Sequence, residues 1–426
     1  MTIFVFIASL LGAMALGMPI AFALLVCGVA LMLFMGSFDT QILAQNLLEG
    51  VNNYPLMAVP FFMLAGELMN AGGISTRIIA MAEALVGHVR GGLGYVAIIA
   101  ALVMASISGS AVADTAALAA VLIPLMRKAG YDIPRSSGLI AAGGIIAPII
   151  PPSIPFVIFG VTAQISITKL FLAGIAPGLM MGVALWFTWW LCAPKSTPPV
   201  EARSFELPRL GRALREGVWA LALPVLIIGG MKFGVFTPTE AAVVAAVYAG
   251  LVGMFVYREL SLKALPQLML AAVKMSSVVM FLVAAALVSA WLITVVNIPQ
   301  EVNAMLRPLT EHKILLMFAM MALVVVVGTA LDLMPTVMIL TPVLMPIVKE
   351  AGIDPIYFGV LFIMNNAIGL LTPPVGTVLN VVAGVSRESL GRVTRGVWPF
   401  LLAQLILLTL FILFPALVMV PARWFY

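Results

Sequence analysis

Ser106-Ile-Ser-Gly-Ser-Ala-Val-Ala-Asp114 and, further on, Ala147-Pro-Ile-Ile-Pro-Pro-Ser153 are small-residue segments broken by Gly or Pro, set in an almost uncharged apolar context. Lipid offers no water to satisfy free backbone N–H and C=O groups, so irregular backbone is tolerated there only where protein or a water-filled cavity satisfies it. The pattern occurs twice. A shift of 222 residues lays Pro124, Ala129, Gly130, Asp132, Pro151 and Pro152 on Pro346, Ala351, Gly352, Asp354, Pro373 and Pro374 without a gap. It also lays 106–114 on Gly328-Thr-Ala-Leu-Asp-Leu-Met-Pro-Thr336. Two copies of one unit, each interrupted twice at membrane depth, form the pattern of a secondary transporter.

Composition fixes the solvent. With 63% hydrophobic and 9% charged residues over 426 positions, too little polar surface exists to cover a water-soluble globule. The mean hydropathy of +1.19 agrees. The net charge of +5 sits in short loops, where it reports topology, and no basic cluster with interleaved aromatics suggests nucleic acid. Cys27 and Cys192 lie in apolar runs without a His or Cys at ligand spacing, which argues against a disulfide or a metal centre. His88 and His312 fall in charged stretches and read as interfacial residues. The first residues, Met-Thr-Ile-Phe-Val, lack the positive region of a cleaved signal and read as a retained first helix.

Residues 2–36 form an apolar run too long for one span of about 20 residues, and Gly17-Met-Pro19 divides it. A comparable division follows the helix expected over 217–231, where Pro238 opens a helix to about 257. Spans are expected at 51–70 and 266–295, then polar interfacial arms at Ser75–Arg90 and Gln300–Lys313. The stretches 94–105 and 114–127 are each too short to cross about 30 Å, which reads as a re-entrant hairpin over 94–127. A second hairpin covers 314–349, with its tip at 328–334. Each hairpin is followed by a helix broken at Pro-Pro, over 136–164 and 356–384, and full spans at 169–193 and 397–420 close the halves. The fold class is therefore an all-α polytopic membrane protein. Residues 1–193 form one repeat and 217–426 the other, joined by a linker at 194–216. About five crossings plus one hairpin per repeat is an odd number, so the second copy inserts inverted.

Charge bears on the inversion independently. Arg127, Lys128 and Arg135 outnumber Asp132 after the first hairpin, whereas Lys349 faces Glu350 and Asp354 after the second. Positive residues favour the cytoplasm, which places the first loop and the linker inside and the second loop outside. Arg307 and Lys313 then lie outside, against the trend. Trp186, Trp189, Trp190, Trp398 and Trp424 read as aromatic belts.

A helix that stops within the membrane exposes partly positive N–H groups at one end and partly negative carbonyls at the other. At the first tip Ser106, Ser108, Gly109, Ser110 and Asp114 offer oxygens, faced by Gly143, Gly144 and Pro148 to Ser153. At the second, Gly328, Thr329 and Asp332 meet Asn365, Asn366, Thr372, Pro373, Gly376 and Thr377. Hard oxygen donors of this kind suit an alkali cation. Single Gly and Ser residues in membrane helices serve more often as packing contacts, and Asn365-Asn366 could be interhelical glue. A carboxylate differs, because an acid at membrane depth is costly enough to be read as functional, as for Asp332 and Asp114. Glu67 could face a cavity or sit near the inner interface, and the second reading is favoured.

These runs carry a resemblance. Gly109 to Leu118, Ile123 to Tyr131, Pro148 to Ile154, Gly352-Ile-Asp-Pro355 and Leu371 to Thr377 resemble the large membrane (M) subunit of tripartite ATP-independent periplasmic, or TRAP, transporters. The resemblance implies a sodium-coupled importer of organic acids in the bacterial inner membrane, working by an elevator mechanism. Its partners would be a small four-helix membrane (Q) subunit and a periplasmic binding protein, with lipid around it. The chain would be of the unfused type. No catalytic residues and no cofactor beyond coupling Na⁺ are implied. Sodium is then expected at Ser106, Ser108, Gly109, Ser110, Asp114, Gly328, Asp332, Asn366, Thr372 and Gly376. The acid is expected at Gly143, Gly144, Pro151, Pro152, Ser153, Asn365, Pro373, Pro374 and Thr377. Gly143-Gly144 resembles the sialic acid branch, with C4-dicarboxylates the next candidate. A proton-coupled transporter of the same architecture would relay through Asp114, Asp332 and Glu67. An enzyme is disfavoured because no His-Glu-x-x-His, Gly-x-Ser-x-Gly or paired catalytic aspartates occur.

Overall fold

The computed structural model describes residues 2–193, 206–297, 300, 311–373 and 375–425. Every regular element among them is helical. The first helices, α1 (Thr2–Ala15) and α2 (Ile20–Phe34), part at Gly17, whose φ of +79° is readily adopted only by glycine, and at Pro19. Asp39 then caps α3 (Thr40–Val51), its carboxylate accepting from Gln41 N–H at 2.7 Å. A 3₁₀ turn at Tyr54–Met57 leads into α4 (Ala58–Ala71), and a 63° bend at Gly72-Gly73 sends the chain into α5 (Ile74–Val86). The polar arm expected at 75–90 is thus an amphipathic helix. It buries Ile78, Ile79 and Ala82, while Glu83 accepts from Arg209 at 2.9 Å and Arg77 pairs with Glu259 at 2.8 Å.

Helix pairs occupy both stretches expected as hairpins, with tighter tips. Helices α6 (Gly92–Ser108) and α7 (Ala111–Lys128) are separated only by Gly109 and Ser110, not by the whole of 106–114. Gly109 takes φ +64° and the Ser110 hydroxyl accepts from Ala113 N–H, so two residues suffice to end one helix and start the next. The broken crossing follows as α8 (Ile133–Gly144) and α9 (Ile154–Ala163), then α10 (Ile167–Cys192). In the second half α11 (Leu207–Lys232) begins ten residues before the expected start at 217, with Pro208 in its first turn. It therefore carries Arg209, Arg212 and Arg215 of the expected linker on a helix. A capping box, Thr237 with Glu240, starts α12 (Pro238–Leu251), which continues as a π turn over Val252–Val256. Next come α13 (Leu265–Val295), the second hairpin α14 (Lys313–Ala330) and α15 (Leu333–Glu350), and the second broken crossing α16 (Pro355–Gly369) and α17 (Thr377–Ser386). The last expected span, 397–420, is instead two helices, α18 (Leu390–Leu413) and α19 (Ala416–Phe425), divided at Pro415. The arm expected at Gln300–Lys313 falls mostly outside the described residues, as do 194–205 of the linker and Pro374.

Among the described residues, α10, α11, α12 with its π turn, α13, α15 and α18 are long and apolar enough to cross a membrane singly, as is the bent pair α4–α5 taken together. Helix boundaries repeat at the 222-residue offset: Ala111–Lys128 falls on Leu333–Glu350 residue for residue. Packing is reciprocal as well, since α7 lies on α17 and α15 on α9, while α2 lies on α13 and α4 on α12. The core runs through both halves. Phe159 of α9 meets Phe362 of α16 with ring centroids 5.5 Å apart. Trp189 is no belt residue: it is 1% exposed and its indole N–H donates to Gly91 C=O at 2.9 Å. Gly94 permits this, because a Cβ there would stand 2.0 Å from the indole. Trp186, Trp190, Trp398 and Trp424 remain at the surface. Cys27 is buried and both cysteines are free thiols.

Candidate functional site

The two hairpin tips meet at one cavity of about 120 Å³, lined by Ser108, Gly109 and Ser110 from the first and by Asp332 and Leu333 from the second. Pro148 and Leu370 reach it from the broken crossings. The facing wall is supplied by Phe62, Met63, Gly66, Glu67 and Asn70 of α4 and Met275 of α13. Glu67 thus stands in the cavity wall and not merely near the interface. Its signal was a lone acid within an apolar segment; Asn70 and Met275 carried none.

The first turns of three helices line the same space: Ala111, Val112 and Ala113 of α7, Ile154 and Pro155 of α9, and Leu333 and Met334 of α15. Each N-terminus presents backbone N–H groups with partial positive charge. The Ser110 and Ser153 hydroxyls satisfy only Ala113 and Phe156 N–H respectively. Among the described residues no Lys or Arg lines the cavity. A carboxylate ligand would therefore meet helix ends instead of a salt bridge.

Behind the first tip is a buried polar cluster. The Ser108 hydroxyl donates to Asp114 Oδ1 at 2.5 Å, and Asp114 is only 2% exposed. Asp114 Oδ2 and the Thr115 hydroxyl are buried without a hydrogen-bond partner. Gly144 borders them, since a Cβ there would lie 1.7 Å from Thr115 Oγ1. Thr115 was not singled out from sequence, because a threonine in a membrane helix ordinarily bonds its own backbone. Ser106 does so here, donating to Val103 C=O at 2.6 Å.

The second tip has a matching cluster. Asn365 donates its amide N–H to Met321 C=O at 2.7 Å and Asn366 donates to Leu333 C=O at 2.9 Å. Those bonds turn each Oδ1 the other way, and both Oδ1 atoms are buried and unpartnered. Gly328 comes close, a Cβ there lying 3.1 Å from Asn366 Oδ1. The Thr377 hydroxyl is buried without a hydrogen-bond partner among the described residues and stands beside Asp332. A buried acceptor left unmade costs about 1–3 kcal/mol. Five orphaned oxygens at the two breaks, from two carboxamides, two hydroxyls and one carboxylate, together fit a hard cation. Among the described residues no three His, Cys, Asp or Glu side chains gather as a transition-metal site would require.

Several expected residues are elsewhere. Gly143 packs on α6, where a Cβ would be 3.0 Å from Ala101 Cβ, and it does not line the cavity. Gly143 and Gly144 allow close packing on Ala101 and Thr115 respectively. Pro151 and Pro152, joined by a cis peptide, are buried behind the first tip, where a Cβ at Gly109 would lie 2.5 Å from Pro152 C=O. Ser153 donates to Pro148 C=O. Thr372 bonds its own helix at Ile368 C=O, 3.1 Å away. Gly376 holds the left-handed turn into α17 with φ +43°, and Pro373 lies in the turns before it.

With this geometry in place, comparison with known proteins is informative. Residues 7–417 match the family described as tripartite ATP-independent periplasmic transporter, DctM component. The chain is 54% identical over its whole length to the whole of the 2,3-diketo-L-gulonate TRAP transporter large permease protein YiaN of Escherichia coli. It is 38% identical to the sialic acid TRAP transporter large permease protein SiaM of Vibrio cholerae, across 95% of each chain. It is 35% identical to the C4-dicarboxylate TRAP transporter large permease protein DctM of Pseudomonas aeruginosa, across 93% of each. The solved YdaH transporter of Alcanivorax borkumensis shares the fold at a TM-score of 0.62 and 16% identity, over 88% of this chain and 87% of that one.

Proposed function

Because the chain belongs to the DctM component family of TRAP transporters, and is thus a large transporter permease for organic acids and not an enzyme, we propose that it couples Na⁺ entry to uptake of a sugar acid. The organic acid class best supported is a six-carbon keto acid such as 2,3-diketo-L-gulonate, on the 54% identity to YiaN. The single observation that carries the mechanism is the shared cavity, where three helix N-termini and two carboxylates, Asp332 and Glu67, face one space. An anion entering alone gains from the helix ends but is opposed by both carboxylates, because like charges repel strongly in a site of low dielectric. Cations held by Asp114 Oδ2, Thr115, Asn365 Oδ1, Asn366 Oδ1 and Thr377 reverse that sign. Sodium and acid then favour each other's binding, which is the reciprocal coupling that symport needs.

The repeated helix boundaries and the reciprocal packing support two halves related by an axis in the membrane plane. The hairpins and broken crossings would move together against the wall built by α4 and α13, in the manner of an elevator. Phe62, Met63 and Met275 give that wall an apolar face without directional bonds to break. The permease would sit in the bacterial inner membrane with a small permease subunit and a periplasmic binding protein that delivers the acid.

The test is uptake into proteoliposomes holding both permease subunits, with the binding protein outside. Labelled 2,3-diketo-L-gulonate, N-acetylneuraminate and a C4-dicarboxylate are offered with an inward Na⁺ or H⁺ gradient. Accumulation of the keto acid under the Na⁺ gradient alone is the expected result. Equal accumulation under a proton gradient without Na⁺ would refute the coupling.

A further inference from the structure

Helices α8 and α18 approach unusually closely at one end. A Cβ on Gly138 would lie 2.6 Å from Gly396 C, and a Cβ on Gly396 2.0 Å from Pro134 C=O. Around that contact Arg135, Arg392, Arg395 and Asp132 surround an open cavity of about 210 Å³. The charges are unequally engaged. Arg392 is tied to Glu388 at 2.9 Å, and Arg127 of the neighbouring α7 is spent on Ser386 C=O at 2.6 Å. Arg135 Nη1 is buried with no acceptor among the described residues. A buried guanidinium N–H without an acceptor is costly, and its planar fork matches phosphate oxygens two at a time.

The surface below the cavity identifies the source of the phosphate. Trp398, Leu402 and Ile406 are 50%, 50% and 60% exposed and recur every four residues, so they form one stripe along α18, continuing the line of Arg395. Helix α18, 24 residues long, is apolar enough along most of its length to cross a membrane. Tryptophan at the top of such a stripe marks the headgroup level. Basic pockets between membrane helices suit anionic lipid headgroups. We propose that the α8–α18 cavity binds the phosphate of an anionic phospholipid, with its acyl chains lying along Trp398, Leu402 and Ile406. The lipid completes the hydrogen bonding of Arg135 and tethers α8, the helix leading to the first Pro-Pro break, to the bilayer rim. This rests on α18 crossing the membrane and not on the coupling ion.

Native mass spectrometry of the purified permease tests it, with cardiolipin, phosphatidylglycerol, phosphatidylcholine or inorganic phosphate added separately. The wild-type protein should retain the two anionic lipids and not phosphatidylcholine. Arg135→Gln with Arg395→Gln should bind them roughly thirtyfold more weakly, from about fivefold per arginine near the surface. Equal retention by that double variant overturns the site. Binding of inorganic phosphate as strong as that of the lipids overturns the lipid assignment. A second measurement does not depend on the double variant folding: phosphatidylglycerol with brominated chains should quench tryptophan fluorescence more than brominated phosphatidylcholine, and Trp398→Phe should remove the excess. No excess in the wild-type protein contradicts the proposal.

Discussion

Ser110 and Asp332 occupy the same position under the 222-residue shift, each preceding the first turn of the second hairpin helix, and Asp114 likewise corresponds to Thr336. Each hairpin thus carries one carboxylate and one hydroxyl at its helix start, in exchanged places. Asp332→Asn keeps the shape and removes the charge, so Na⁺-driven uptake should fall at least roughly a hundredfold while the protein still folds, if a carboxylate–cation interaction of about 3 kcal/mol is lost. Wild-type uptake by that variant would remove Asp332 from the site. Ser108→Ala leaves Asp114 Oδ1 without its donor. It should lower stability by about 1–3 kcal/mol, read as a fall in the thermal midpoint. Excess Na⁺ should restore part of that loss and K⁺ none. At this scale the carboxylates were legible because an acid in an apolar run is rare. Thr115 and Asn70 were not, because small polar residues in membrane helices have a common packing role that hides an uncommon one.

The hairpin tips act as elements through glycine. Gly109 combines a left-handed φ of +64° with an approach to Pro152 C=O that a Cβ would bring to 2.5 Å. Gly109→Ala should therefore cost roughly 1–2 kcal/mol for the backbone conformation alone and more for the contact. The fall in thermal midpoint should be clearly larger than for Gly12→Ala, where an added Cβ meets nothing within 4 Å. Similar midpoints for the two variants would contradict the tight tip. Most helices and their order were readable from hydrophobic runs cut by Gly and Pro, but α3 (Thr40–Val51) was not. Their ends were less so: α11 and α18 begin within charged stretches that resemble loops, because arginines in a first turn can reach the membrane rim while the backbone is already helical. The tips were read as too long for the opposite reason, since Ser106 and Ser108 continue the helix and only Gly109 ends it.

For the whole molecule, the shift of 222 residues was visible in sequence because Pro, Gly and Asp residues recur at one fixed offset without a gap. The meeting of both tips with α4 in one cavity was not visible, since nothing in an apolar helix states which neighbour it faces. The proposed inversion makes its own prediction. In a background without Cys27 and Cys192, the equivalent positions Lys128→Cys and Glu350→Cys should react with a membrane-impermeant reagent from opposite sides, Lys128→Cys from the cytoplasm. Reaction from the same side would exclude inversion.

Calorimetric titration of the purified permease with Na⁺, with and without the acid, addresses the shared cation-dependent cavity most directly. Saturable heat from Na⁺ but not K⁺ is predicted, strengthened when the acid is present and lost in both Asp114→Asn and Asp332→Asn. Unchanged Na⁺ affinity in both variants, or no saturable binding by the wild-type protein, would contradict the account.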